Sequence, residues 1–172
     1  MKNVSTIHNC YGCGVCAVSC GKKIINIRLN EDGFYAPYID EPEKCMECGI
    51  CLDVCAFNHK ERALKPEEVQ IKSWAAWSND EAVRRKCSSG GIGFEIGKQL
   101  IEQGFHAVGC RYDINEQRAE HYIATTVEEF VQSIGSKYIP SYTEEAFKLI
   151  KRKGQKYLII GTPCQIDSFR RM

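Results

Sequence analysis

Two runs of cysteine share one spacing, and they constrain the chain more than any other feature. Each run follows the pattern C-x2-C-x2-C-x3-C, and together they use eight of the eleven cysteines in the 172 residues. The first run is Cys10, Cys13, Cys16 and Cys20, and the second is Cys45, Cys48, Cys51 and Cys55. This spacing is typical of bacterial iron–sulfur proteins, in which the fourth cysteine of each run ligates the cluster of the other run.

The spacing therefore predicts two [4Fe–4S] clusters with crossed ligands. Three cysteines two residues apart can surround one cubane, whereas the longer final step carries the fourth thiol away from it. We expect one cluster to be ligated by Cys10, Cys13, Cys16 and Cys55, and the second by Cys45, Cys48, Cys51 and Cys20.

Other uses of so many cysteines fit the chain less well. A structural zinc site takes four ligands and would leave four of these thiols unused. A secreted disulfide framework requires a signal peptide, and residues 1–8 contain no apolar core of that kind. No apolar run reaches membrane-spanning length. We therefore expect a cytoplasmic protein without a membrane span.

The charges are nearly balanced. The chain has 23 Lys and Arg against 22 Asp and Glu, a formal net charge of +1, so bulk electrostatics predict no nucleic-acid partner. The local basic groups at residues 84–86 and 151–153 are interpreted as solvated helix surface. A docking patch for an acidic redox partner is the alternative.

The patterns predict a cluster module followed by an α/β domain. Alternating apolar residues at 25–29 and an aromatic, β-branched run at 34–39 predict a hairpin between the cysteine runs. We place an α+β ferredoxin-like dicluster domain at residues 1–59, a polar linker at 60–72 and an α/β domain at 73–172. The sequence ends about two turns into a predicted helix, so we expect this α/β domain to be incomplete.

Strand and helix patterns alternate beyond the linker, which favours a mainly parallel, covered sheet. The predicted strands are Ser73–Trp77, His106–Tyr112, His121–Thr125 and Tyr157–Ile160. Five helices are predicted. Two begin after capping boxes at Ser78 and Thr126, and one begins after Thr162. The other two run from Ile92 to an end by Gly104 and over Thr143–Lys153.

Three segments of mostly small residues lie where loops pass into helices. They are Ser88-Ser89-Gly90-Gly91, Gly135-Ser136-Lys137-Tyr138 and Thr162-Pro163-Cys164-Gln165. Such loops expose backbone N–H groups at a helix N-terminus, where the dipole favours phosphate, and Lys137 adds a positive charge. None matches the Rossmann or P-loop pattern, so ordinary turns and caps are the alternative.

The order of these segments resembles the beta subunits of coenzyme F-420 (deazaflavin) hydrogenases and dehydrogenases, including the formate dehydrogenase beta subunit. The resemblance runs from Cys10 to Gln165 and includes both cysteine runs, Gly33-Phe34-Tyr35 with Pro37, and the three small-residue segments. It implies that these three segments bind a flavin, FAD, as a further cofactor. It also implies a redox partner protein or oxidoreductase subunit, and a deazaflavin substrate.

Two features depart from the family pattern. Gly21 and Ala56 replace the usual proline after the fourth cysteine of each run, which removes no ligand. Family members are also longer, so we expect the part that completes the flavin and substrate pocket to be missing. Whether this chain is itself an enzyme is therefore left open.

The leading hypothesis is an iron–sulfur electron-transfer protein with two [4Fe–4S] clusters, part of a flavin-linked oxidoreductase beta subunit. One alternative is an intact flavin-dependent reductase of a deazaflavin or another substrate. A second alternative is a non-redox module that structural clusters hold together.

Overall fold

The computed structural model describes residues 2–8, 10–59, 61, 63, 72–150 and 153–172. It has a mixed α/β architecture, and its contacts divide the chain into two compact units. The first unit contains Met1–Gln70, Tyr142–Ile150 and Gly161–Met172, and the second contains Ile71–Ser141 and Lys151–Ile160. None of the helices in these described ranges is both long enough and apolar enough to cross a membrane.

Each unit is made of separate segments of the chain. The sequence instead suggests three contiguous regions, at 1–59, 60–72 and 73–172. Residues 142–150 and 161–172 return to the unit that contains both cysteine runs. Most of the predicted linker lies outside the described residues. The three sequence boundaries therefore stay a prediction of domain organisation.

The first unit combines short helices with one hairpin. Its elements are α1 (Val15–Ser19), β1 (Ile25–Leu29), β2 (Tyr35–Ile39), α2 (Ile50–Asp53), α6 (Glu144–Lys148) and α7 (Pro163–Arg171). The predicted hairpin between the cysteine runs is confirmed, because β1 pairs antiparallel with β2 from Ile25 opposite Ile39 to Leu29 opposite Tyr35.

The late helices belong to the first unit because their side chains complete its packing. Thr143, at the start of α6, is fully buried. Its side chain packs against Gly14, where an added Cβ would lie only 2.0 Å from the Thr143 Oγ1. The rings of Phe147 in α6 and Phe169 in α7 meet edge to face at 4.9 Å. In addition, the backbone N–H of Ile27 donates to the Glu144 carboxylate.

The second unit is built around a mixed sheet with strand order β5-β4-β3-β6. Its elements are α3 (Glu81–Lys86), α4 (Ile92–Glu102), β3 (His106–Asp113), β4 (Arg118–Ala124), α5 (Val127–Phe130) and β6 (Tyr157–Ile159), and β5 (Ser141–Tyr142) completes the sheet. The Thr126 capping box at α5 and the predicted helix after Gly91 are both confirmed.

The prediction of a mainly parallel sheet is wrong for the longest pair of neighbouring strands, β3 and β4. Strands β3 and β4 are antiparallel, from Ala107 opposite Ala124 to Asp113 opposite Arg118. Only residues 114–117 connect them, and parallel neighbours need a crossover of a dozen residues or more. Strand β3 does pair parallel with β6, with His106 opposite Tyr157.

Three local predictions also need correction. Ser73–Trp77 forms no strand, and the side chains of Trp74 and Trp77 are 84% and 60% exposed. Helix α3 is capped by Asp80, whose Oδ1 accepts from two backbone N–H groups, because the hydroxyl of Ser78 instead donates to Glu95. Helix α6 ends at Lys148, since the next two N–H groups bond three residues back in a tighter turn.

The core of the second unit forms where α4 and α5 pack on the sheet. Its buried members are Ile101, Ala107, Tyr122, Ala124 and Phe130. The ring of Phe130 stacks on Phe94 of α4, with centroids 5.7 Å apart. Gly97 makes room for this ring, because a Cβ there would lie 2.1 Å from Cε1 of Phe130.

We predict opposite effects for alanine at the two interior glycines of α4. Gly97→Ala should destabilise the second unit by about 1–3 kcal/mol, because the buried Phe130 ring must move. Gly93→Ala is the matched control, since a Cβ there meets nothing within 4 Å. It should stabilise the helix by about 0.5–1 kcal/mol. Chemical denaturation followed by circular dichroism measures both, and equal effects would contradict the packing described.

Candidate metal centre

The two cysteine runs fold into the same local turn. Gly14 follows the second cysteine of its run with φ 79°, and Gly49 occupies the equivalent position with φ 78°. Each is the N-cap of the short helix that carries the third cysteine, α1 or α2. A left-handed backbone at these positions favours glycine, because other residues are strained there. The two runs therefore share the turn that leads from the second cysteine to the third.

Four thiols from both runs line one cavity in the first unit. They are Cys10, Cys13, Cys16 and Cys55. The rest of the wall is largely apolar, with Val4, Ile7, Tyr11, Pro37 and Phe57 among its residues. The cavity thus combines the cysteine set that the spacing groups together with a largely apolar lining.

Hydrogen-bond donors surround the sulfurs of this cavity. The backbone N–H of Gly12 donates to Sγ of Cys10 at 3.3 Å. The Ser168 hydroxyl lies 3.6 Å from Sγ of Cys13. Donors aimed at sulfur stabilise negative charge on a ligand thiolate, so this lining is suited to sulfurs that carry charge.

Burial and mutual repulsion keep these thiols neutral when no cation is nearby. Burial raises the pKa of Cys13 to about 11, against the opposing effect of the Val15 N–H. Burial also raises the pKa of Cys16 well above its ordinary value, and the charges of Cys13, Cys55 and Cys10 add to the effect. The charge of Cys55 likewise raises the pKa of Cys10, after burial.

The second group of thiols contains three cysteines of the second run, Cys45, Cys48 and Cys51, and Cys20 of the first run. Burial raises the pKa of Cys51, and the charges of Cys20 and Cys48 raise it further. Sγ of Cys45 accepts a hydrogen bond from Nδ2 of Asn3 at 3.5 Å. Cys48 is exposed, in contrast to the buried Cys51. The second group is therefore more open to solvent than the first.

The donor set fits an iron–sulfur cluster. Thiolate is a preferred ligand of iron–sulfur iron, and an iron cation would supply the positive charge that the crowded sulfurs of the first group lack. Within the described ranges, no three His, Cys, Asp or Glu side chains converge closely enough to hold a single metal ion.

Two of the three small-residue segments lie together in the second unit. Oγ of Ser88 accepts a hydrogen bond from the backbone N–H of Ser136 at 3.0 Å. The loop then enters α4 through Gly91, which has φ 80° and no side-chain cap. The first backbone N–H groups of this helix are therefore left without a capping side chain, as an anion site requires.

Lys137 is engaged within its own loop. Its Nζ donates to the carbonyl oxygens of Gln132, Ile134 and Gly135 at 3.2, 3.0 and 2.9 Å. Burial lowers the pKa of this ammonium. Because these three carbonyls take its three donors, Lys137 stabilises the turn in this structure.

The third segment belongs to the first unit. Thr162 and Gln165 form the capping box that opens α7, with Gln165 almost fully buried. The charge of Cys164 raises the pKa of Cys10 and of Cys13, although burial is the largest cause of both shifts. The structure thus groups the first two segments in one unit and associates the third with the thiols.

The sequence patterns missed the polar residues that contact the sulfurs. Asn3 lies 42 positions from Cys45, and Ser168 lies 155 positions from Cys13. A lone Asn or Ser carries no spacing pattern, so only the folded chain reveals these contacts.

Comparison with known families identifies the class and then the family. Residues 9–59 match the 4Fe-4S dicluster domain, which makes the chain an iron–sulfur protein. Residues 73–160, just over half of the chain, match the coenzyme F420 hydrogenase/dehydrogenase beta subunit, N-terminal region. The chain belongs to this beta-subunit family, and the predicted resemblance is confirmed. Among curated proteins, no sequence matches the chain.

We predict that paired substitutions will reveal which thiols share a cluster. Cys13→Ser with Cys55→Ser removes two thiols of the same cavity, so it should cost no more iron than either change alone and leave about four irons per chain. Cys51→Ser with Cys55→Ser is the matched control. It removes one thiol from each group and should leave almost no iron.

Iron and sulfide analysis after anaerobic purification measures both pairs. If the first pair lost as much iron as the second, the crossed grouping of the thiols would be wrong.

Proposed function

We propose that this chain is an electron-transfer protein with two [4Fe–4S] clusters, within a flavin-linked oxidoreductase subunit. Cys10, Cys13, Cys16 and Cys55 would ligate one cluster, and Cys45, Cys48, Cys51 and Cys20 the second. Each cluster, when bound, supplies a one-electron couple. The chain's own residues contribute ligation, shielding from water and hydrogen bonds to sulfur.

One observation carries the proposal. Cys55 lines the cavity of Cys10, Cys13 and Cys16, although 39 or more positions separate it from them in sequence. A zinc site would be satisfied by four ligands, whereas a duplicated run with crossed thiols matches the dicluster arrangement. The match of residues 9–59 to a 4Fe-4S dicluster domain supports the same conclusion.

The difference in exposure between the two groups of thiols suggests which cluster meets a partner protein. Near the exposed Cys48, the side chains of Met46 and Ile50 are 70% and 44% exposed. In the other group Cys16 is buried, and Cys10, Cys13 and Cys55 are partly buried. We propose that the more open cluster exchanges electrons with a partner protein, in keeping with a beta subunit of a multi-subunit oxidoreductase.

Elemental analysis tests the proposal directly. Anaerobically purified protein should contain about eight irons and eight inorganic sulfides per chain, the content of two cubanes. Zinc with little sulfide would refute it.

Voltammetry of the same sample distinguishes electron transfer from a purely structural role. We expect reversible one-electron couples within the physiological range. Clusters that only hold the fold together would give no such couple.

A second function is flavin binding, which the pairing of Ser88 with Ser136 favours. We propose that the loops at 88–91 and 135–138 bind the phosphates of FAD, with the uncapped N-terminus of α4 as the anion site. The family resemblance further implies that the segment at 162–165 binds the flavin and that a deazaflavin is the substrate. In this proposal Lys137 must exchange its carbonyl partners for a phosphate.

Titration of the purified chain with FAD tests this second function. Binding should quench flavin fluorescence, and Ser88→Asp should weaken it at least tenfold, because the new carboxylate repels the phosphates. Asn115→Asp adds the same charge in the exposed turn between β3 and β4 and should leave affinity unchanged. A chain that binds no FAD, together with a longer family member that releases none on denaturation, would rule the function out.

A further inference from the structure

Two buried polar side chains outside the cysteine runs each contact one ligand sulfur. Ser168 on α7 is 0% exposed, and its Oγ lies 3.6 Å from Sγ of Cys13. Asn3 is 2% exposed, and its Nδ2 lies 3.5 Å from Sγ of Cys45. The two sulfurs belong to different clusters in the proposed function, so each cluster has one such neighbour.

The partners of Ser168 fix the direction of its hydroxyl. Its Oγ accepts a hydrogen bond from the backbone N–H of Ala56 at 3.0 Å. A ligand thiolate at Cys13 has no proton, so in that state the Ser168 hydroxyl is the donor of this contact. Ser168 thus connects Cys13 with the residue that follows Cys55, a ligand of the same proposed cluster.

The orientation of the Asn3 amide is fixed in the same way. Its Oδ1 accepts from the backbone N–H of Ser5 at 3.0 Å and from the Ser5 hydroxyl at 2.7 Å. The oxygen of the amide is therefore committed to Ser5, and the NH₂ group faces Cys45. Both contacts consequently have a defined donor and a sulfur acceptor.

Both side chains are held in place by their surroundings. The Thr162 capping box begins α7, the Phe169 ring packs against Phe147, and the Arg171 guanidinium bonds Asp167 at 3.2 Å on the same helix. Asn3 is the N-cap of the 3-10 turn at Val4–Thr6. A donor held in this way keeps its geometry when the charge on the sulfur changes.

We propose that Ser168 and Asn3 set the reduction potentials of the two clusters separately, each through one ligand sulfur. This inference rests on the proposed function. A hydrogen bond to a ligand sulfur favours the more negatively charged, reduced state and so raises the potential. Neither residue ligates iron, and both are positioning residues for their ligands.

Redox titration of three single variants and one double variant tests the proposal. Ser168→Ala removes one donor. Asn3→Ser keeps an oxygen that can cap the turn at Val4–Thr6 but is too short to reach Cys45. Ser19→Ala is the matched control, because this buried hydroxyl donates to the carbonyl of Cys16 and not to a sulfur.

Each test variant should lower one midpoint, and the two variants should lower different midpoints. The expected change is roughly tenfold in the oxidised-to-reduced ratio, about 59 mV for one electron. The double variant should lower both midpoints, and Ser19→Ala neither. Electron paramagnetic resonance during the titration follows the two clusters separately.

Three outcomes would overturn the proposal. They are unchanged midpoints in either test variant, a shift of the same midpoint by both variants, and loss of about four irons in either variant. The last outcome would mean that the side chain is needed for assembly and does not merely adjust the potential. Iron and sulfide analysis of the unmodified protein comes first, and a content well below eight would instead refute the proposed pair of clusters.

Discussion

The first unit depends on a group of thiols that the fold buries close together. Burial and the charges of their neighbours raise the pKa of Cys10, Cys13 and Cys16, so these sulfurs resist ionisation on their own. Iron reverses this balance, because its positive charge stabilises the thiolates and links metal binding to folding. The surrounding N–H and O–H donors act in the same direction. An arrangement that is unfavourable for free thiolates is therefore favourable for metal-bound ones.

Helices far along the chain complete the surroundings of the thiols. Thr143 packs against the turn at Gly14, and Ser168 reaches Cys13 from α7. Ser168 lies outside both segments that match the two families, at 9–59 and 73–160, whereas Thr143 falls inside the second. The matched dicluster segment thus supplies the ligands, while later residues supply part of the packing and hydrogen bonding.

Features encoded over short distances were predictable from the sequence. The β1–β2 hairpin follows from alternation around a turn, whereas the grouping of the eight thiols stays a prediction from the spacing of the runs. The β3–β4 hairpin was missed because β4 begins with the polar residues Arg118 and Glu120, which made the connection look long. Glu120 is buried nonetheless, since Arg111 and Arg118 pair with it at 2.9 and 3.1 Å. A carboxylate that is buried by ion pairs within a hairpin breaks the apolar pattern by which a buried strand is predicted.

The return of α7 to the first unit has a consequence for biosynthesis. Translation proceeds from the N-terminus, so every ligand cysteine leaves the ribosome more than a hundred residues before Ser168 does. The contact between Cys13 and Ser168 spans 155 positions, and contacts of such separation form late because closing a long loop costs entropy. During synthesis Cys13 therefore lacks its contact with Ser168 until α7 has been made. Iron that reaches the thiols before α7 is synthesised would therefore bind without the Ser168 hydroxyl beside Cys13.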